Sequence, residues 1–443
     1  MRDPVFGPDG TVYLLAGGRD AEGDYQQSLV ALDSAGYVKP GWPLEEPPGS
    51  DFGSPAAGPD GSVYIGECGD PEVGCVLHRL GSDGREVPGW PFEVPPDFVC
   101  PEGDPCFSSL AVGSDGTAYR TSWHHTQEQT QLIAIDASGE GMPGWPVALG
   151  APGVWWSNVQ LGFDGTLFVL GVPDSSESPA RLLAFAPDGS LRAGWPVSVP
   201  DQSDYLLGPQ GTVVVWSLID LAGELCQQPR RTVFTVLGAD GRTLPGWPRG
   251  SKGYASSPVV DADGTVYYVS ALGNVYAHDR AGEVKAGWPV AVPGASVWCG
   301  PTSPYLAPDG TIYILAHDVT ALSPDGRRRP GWPYRPAGDL KLPCWPVGDT
   351  DGVPSPHAPA FGPDGTVYLV VCHADTTGPR LEIIALDPQG QLKPGWPYRL
   401  PIDPASMMVG PLTVSPDGRL FVRGGYGPNS FLLALNPDGH ISD

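Results

Sequence analysis

Two short phrases recur along 443 residues at intervals near 50, and no stretch between them carries the apolar period of a helix. These observations predict an all-β protein: a single closed β-propeller whose nine repeats are nine blades, with eight as the fallback and almost no helix. The first phrase is of Gly-x-Asp-Gly-Thr-Val-Tyr type, a tight turn running into a β-branched and aromatic strand. It runs from Gly7–Tyr13 to Ser415–Phe421, with copies 46 to 55 residues apart. The second is a Leu-x-Ala-Leu-Asp strand, a turn ending in Gly, and then Gly-Trp-Pro. Its tryptophans are Trp42, Trp90, Trp145, Trp195, Trp247, Trp288, Trp332 and Trp396, and the sequence ends at Asp443 before a ninth.

Each unit then reads as strand A (Pro4–Gly7 type), the Asp-Gly turn, strand B (Thr11–Ala16 type), strand C (Leu29–Asp33 type) and a short strand D after Gly-Trp-Pro. The units span approximately 1–50, 51–105, 106–154, 155–201, 202–253, 254–299, 300–354, 355–408 and 409–443, all within one domain. One blade cannot bury both faces of its sheet, so stacked blades supply the core. Spacing separates two ends of each blade. The residue eleven before each tryptophan is a strand-C position such as Ala31 or Ala385, so the C–D connection has constant length, as does the A–B turn. The stretch from that turn to strand C varies from 12 to 26 residues, and the stretch from tryptophan to the next turn from 15 to 32. All length variation falls on the B–C and D–A loops, which share one face; function is expected there.

The repeated tryptophan is expected to lie between neighbouring sheets and bury a large area. The glycine before it permits close backbone approach, and the proline after it suits an edge strand. Ala31-x-Asp33-x-x-Gly36 followed by Trp42 resembles the tryptophan-docking repeat of pyrroloquinoline-quinone (PQQ) type propellers. The Pro-Gly-Trp-Pro phrase is similar to those of FG-GAP-like propeller proteins of bacterial surfaces. The resemblance covers nearly the whole chain and implies the fold. In its quinoprotein members it implies a dehydrogenase, but here the Gly36-to-Trp42 interval is longer and the adjacent Cys-Cys pair those enzymes place beside the quinone is absent.

Fifty acidic against 25 basic side chains give a formal charge of −25, which repels phosphate backbones and excludes nucleic-acid binding through a broad basic surface. No apolar run is long enough to span a membrane as a helix. Eight cysteines all map to the variable face, which points to an oxidising compartment. Cys68 with Cys75 and Cys100 with Cys106 each close a small loop. Cys299 with Cys344 is the preferred third bridge, and the four cysteines Cys226, Cys299, Cys344 and Cys372 leave three pairings open. The chain opens inside a repeat, so Met1 is read as a start on a mature secreted or cell-surface segment whose signal peptide is absent.

Candidate ligand-binding residues sit on the variable loops: Trp123, His124 and His125 in unit three, Trp155 and Trp156 just before strand A of unit four, Trp216 and Asp220 in unit five, and Trp298, His317 and Trp345 further on. Indoles on an acidic concave surface suit sugar rings or cationic ligands; the competing reading is that they plug loops onto the propeller. His317 beside Asp318, with His357, His373 and Cys372, has no recognised metal spacing. Asp261-x-Asp263 and Asp349-x-Asp351 carry the front half of a calcium loop without its later acids, and calcium at Asp349 and Asp351 is the one ion left open; no other cofactor is expected. No nucleophile elbow or phosphate loop is present. The expectation is a monomeric, non-enzymatic extracellular scaffold that binds a carbohydrate or protein ligand. The alternatives are a quinoprotein-like dehydrogenase or polysaccharide-cleaving enzyme, and a purely structural module.

Overall fold

The computed structural model describes residues 4–19, 25–69, 75–95, 110–124, 126–150, 153–174, 178–219, 231–251, 253–297, 300–316, 318–335, 340–341, 358–375, 378–401, 409–424 and 431–441. The chain is all-β and folds as a nine-bladed β-propeller. It divides into two compact units, Met1–Asp201 with blades 1 to 4 and Gln202–Asp443 with blades 5 to 9. Among the described residues the one helical element is a 3-10 turn, Pro209–Gly211. It lies at the A–B turn of blade 5, where Gln210 replaces the usual Asp and takes a positive φ of 57°.

Blade 1 shows the plan: strands Val5–Phe6, Val12–Arg19, Tyr25–Leu32 and Leu44–Glu45 pair in chain order, all antiparallel. In blade 2 strand A is split, and Ser50–Phe52 and Ala56–Ala57 both pair with strand B, Val63–Gly69. In blade 7 strand D shrinks to one bridge between Val319 and Tyr334. Its strand C, Val319–Leu322, is only four residues long and offers little to pair with. Blade 9 has three strands, Thr413–Val414, Leu420–Gly424 and Phe431–Leu435.

The core lies between blades. Strand B alternates, so successive residues face opposite neighbours. Tyr119 packs in the cluster shared by blades 3 and 4, and Ala118 in the one shared by blades 2 and 3. Seven of the eight repeated tryptophans lie 6–8% exposed. Seven of the indoles pack near the strand-B aromatic of their own blade, as Trp288 does at 5.5 Å from Tyr267, whereas blade 5 has Val214 there and Trp247 packs against His278 of blade 6. Within each compact unit the indole N–H donates to a carbonyl in the C–D turn of the next blade: Trp42 to Ser82, Trp90 to Ala137, Trp288 to Pro324, Trp396 to Pro437. Within each compact unit the glycine before the tryptophan approaches that same turn. A Cβ on Gly287, whose φ is 90°, would lie 2.3 Å from the Asp325 carbonyl oxygen. All eight Trp–Pro bonds are cis, a feature that the edge-strand reading of the proline did not anticipate.

The Asp-Gly turns explain their own carboxylates. Asp364 accepts the Thr366 amide at 3.0 Å and the Lys393 ammonium at 2.9 Å. Burial alone would raise its pKa, but these bonds and the lysine charge outweigh it and hold the carboxyl at about 2. Lys39, Arg192 and Arg329 serve the matching acids Asp9, Asp164 and Asp309. Blade 2 solves the same problem differently. Val87 stands at the cation position, and Arg79, where most blades have Ala, reaches Asp60 at 2.8 Å from strand C. Its guanidinium also donates to Ser62 and to the Ala137 carbonyl of blade 3.

Candidate functional site

Four of the described candidates, Trp123, His124, Trp155 and Trp156, lie at the variable-face ends of blades 3 and 4. In blade 3, strands Ala118–His124 and Gln129–Ile135 form a tight hairpin. Thr121 and Trp123 continue the face that carries Tyr119, toward blade 4; Arg120, Ser122 and His124 continue the face toward blade 2. Trp123 stands opposite Thr130, and Thr130 opposite Gly150 of strand D.

Trp156 comes to this same place from the short strand Val154–Trp156 of blade 4. Its ring covers two glycines. A Cβ on Gly171 would fall 2.6 Å from the indole, and one on Gly150 3.2 Å from it. Its Nε1–H is buried with no hydrogen-bond partner among the described residues. Trp155, one residue earlier, points the other way and is 63% exposed. Period-two alternation thus turns one indole inward as a platform and the next outward. Asp174 closes the edge beside them, its amide bonded to the Gly153 carbonyl. Trp216 behaves differently: it packs half-buried in the core between blades 5 and 6, which fits the loop-plugging reading.

The face toward blade 2 carries a polar ladder. Arg120 is 2% exposed and donates to Ser122 Oγ at 3.2 Å, and burial brings its pKa down to about 9. Gln131, opposite Ser122 and 4% exposed, donates to Gln127 Oε1 at 2.8 Å; its own Oε1 has no partner among the described residues. His124 is buried above them with Thr126 Oγ1 3.3 Å from Nδ1. Sequence reading singled out His124 but missed Arg120 and Gln131. The signal was there: aligned on the strand-B aromatic, Arg120 stands where other blades have Leu14, Ile65, Val169 or Ile314.

Of the expected cysteine pairs, the structure brings Cys68 and Cys75 together as a disulfide, directly opposite each other in the blade 2 hairpin. Cys372 and His373 lie in strand B of blade 8. Outside the described residues lie His125, Asp220, Trp298, His317, Trp345, His357, Asp349, Asp351, Cys100, Cys106, Cys226, Cys299 and Cys344. Among the described residues no three His, Cys, Asp or Glu side chains are placed to hold a metal, and no helix is long and apolar enough to cross a membrane. Asp261 is occupied by its own turn, accepting the Asp263 and Thr265 amides and the Tyr267 hydroxyl. The constant face is not featureless. A cavity of about 320 Å³ opens among the A–B turns of blades 7 to 9, lined by four prolines with Tyr313 and Phe361.

No protein-family model and no curated protein sequence matches the chain. Among solved structures it is similar to a eukaryotic initiation factor, at 11% identity and a TM-score of 0.55 over 97% of this chain and 94% of that one. It is also similar to dipeptidyl peptidase 4 of Porphyromonas gingivalis, at 11% identity and 0.51 over 87% of this chain and 58% of that one. The Dos1 propeller follows at 14% identity and 0.46, over 86% and 91%. At such identities the likeness is one of fold alone.

Proposed function

We propose that the protein is a secreted or cell-surface, non-catalytic scaffold that binds a carbohydrate on the B–C and D–A loop face of blades 3 and 4. The observation that carries this reading is the pair of adjacent indoles on Val154–Trp156. Trp156 is fixed over Gly150 and Gly171, and Trp155 lies open to solvent beside it. An open indole on a rigid strand offers a sugar ring an apolar face at low ordering cost, with the exposed Asp174 at the edge beside it as a polar group. The Cys68–Cys75 disulfide supports an oxidising compartment. The interlocking tryptophans support a relation to the PQQ-type and FG-GAP-like repeats as architecture, without the quinone chemistry.

Titration of intrinsic fluorescence with soluble polysaccharides tests it. Seven of the eight repeated tryptophans are buried and should stay silent, so a saturable shift would report the loop indoles or the half-buried Trp145 in the same cluster as Trp156. Trp155→Ala should then weaken binding at least about tenfold, or ~1.4 kcal/mol, with the thermal midpoint unchanged. Saturable glycan binding that Trp155→Ala leaves intact would overturn the site. No response to any glycan class would overturn the ligand and leave a protein partner for this face.

A further inference from the structure

Blade 2 holds a histidine between two carboxylates. His78 Nε2 lies 3.1 Å from Glu67 Oε2 of strand B, and Nδ1 lies 2.5 Å from Glu86 Oε1 in the C–D connection. A neutral imidazole donates from one nitrogen only, and an ionised carboxylate has no proton to give the other. Both contacts are satisfied together by the imidazolium. His78 is opposite Ile65, which packs in the core between blades 1 and 2, so alternation places Glu67 and His78 on the face toward blade 1.

There they meet Glu46, 5% exposed, just after strand D of blade 1. Its carboxylate accepts the Gln27 amide of blade 1 at 3.0 Å and the Phe52 amide of blade 2 at 2.7 Å, and so ties the two blades. The charged groups that act on it are Asp51 and Glu67, both acidic. Among the described residues no Lys or Arg forms an ion pair with Glu46, Glu67 or Glu86. No other blade has an acid where Glu46, Glu67 or Glu86 stands, or a histidine where His78 stands.

We propose that Glu67, His78, Glu86 and Glu46 form a proton-operated clasp between blades 1 and 2, closed while the imidazole carries two protons and released when it loses one. On deprotonation one carboxylate loses its donor, and the Glu67 charge is left uncompensated near Glu46. The repulsion falls on the carboxylate that ties Gln27 to Phe52. Burial would lower the His78 pKa, but the hydrogen bond and charge of Glu86, with those of Glu67, raise it above the ordinary value. Burial, reinforced by Asp51 and Glu67, raises Glu46 against its two amide bonds. Both shifts favour bound protons. The His78 contribution is therefore fully present below about pH 6.5 and is lost as pH rises through the folded-state value.

The test is an NMR titration of the His78 ring in the intact protein, alongside thermal midpoints between pH 5 and 9. The ring should titrate above 6.5, and Glu67→Gln and Glu86→Gln should each bring it down. His78→Leu, the residue type blade 4 carries at Leu183, should remove the fall in midpoint between pH 6 and 9. A wild-type ring titrating at or below 6.5 overturns the clasp without any variant. So does a midpoint fall that His78→Leu leaves unchanged.

Discussion

At Gly287 one hydrogen atom decides whether two blades can meet. Its φ of 90° already disfavours a side chain, and the Asp325 carbonyl occupies the space a Cβ would need. Gly287→Ala should therefore destabilise the protein by about 3 kcal/mol. Gly141→Ala is the control: nothing lies within 4 Å of its added Cβ, and its expected effect is within about 0.5 kcal/mol. Chemical denaturation of both checks this, and equal midpoints would refute it. The need for glycine before each tryptophan was legible in the sequence because it repeats. Its partner was not, since the close approach is to a turn some 40 residues later in another blade. Arg120 and Gln131 escaped for a related reason: a lone polar residue in an alternating strand reads as solvent-facing until both faces are known to be covered.

At the level of the element, blade 2 departs from its siblings. The cation that braces the A–B turn comes from the C–D connection in blades 1, 4, 7 and 8 but from strand C here. Arg79→Ala removes a group bonded to Asp60, Ser62 and Ala137, and should lower stability by about 2 kcal/mol. Adding Val87→Lys restores a cation at the site blades 1 and 8 use, and should recover part of the loss. Calorimetric midpoints of the single and double variants decide it; a double variant no better than Arg79→Ala would show that the two positions are not interchangeable. The order A–B–C–D and the count of nine followed from turn and strand chemistry. The split strand A of blade 2 and the lost strand D of blade 7 did not, because pairing length depends on the facing strand.

Over the whole molecule, carboxylates respond to acid in two opposite ways. Burial would raise Asp9, Asp60, Asp164, Asp309 and Asp364, but bonds from the Ser or Thr two residues on, and a Lys or Arg, hold each below the ordinary range. These side chains are 48–56% exposed, so solvent screening limits each to under about 1 kcal/mol. Their contribution is present above about pH 4 and is lost as pH falls toward 2. Thermal midpoints should drop between pH 4 and 2.5, and a flat profile there would refute it. The acidic composition announced the number of such groups but not their direction of shift, which depends on the cation each turn recruits.

Within each compact unit the tryptophan contacts run one way along the chain: a blade inserts its indole into the turn of the next blade. Plug and socket are therefore inequivalent ends of a blade. Within the second unit, a chain shortened past blade 8 would leave Trp396 without the Pro437 carbonyl and with its apolar ring uncovered. Removing the first blade of that unit would instead leave blade 6 with a vacant socket, a polar turn that water can solvate. Losses from the two ends of a unit are thus unlike in kind: one exposes an adhesive surface, the other only a gap.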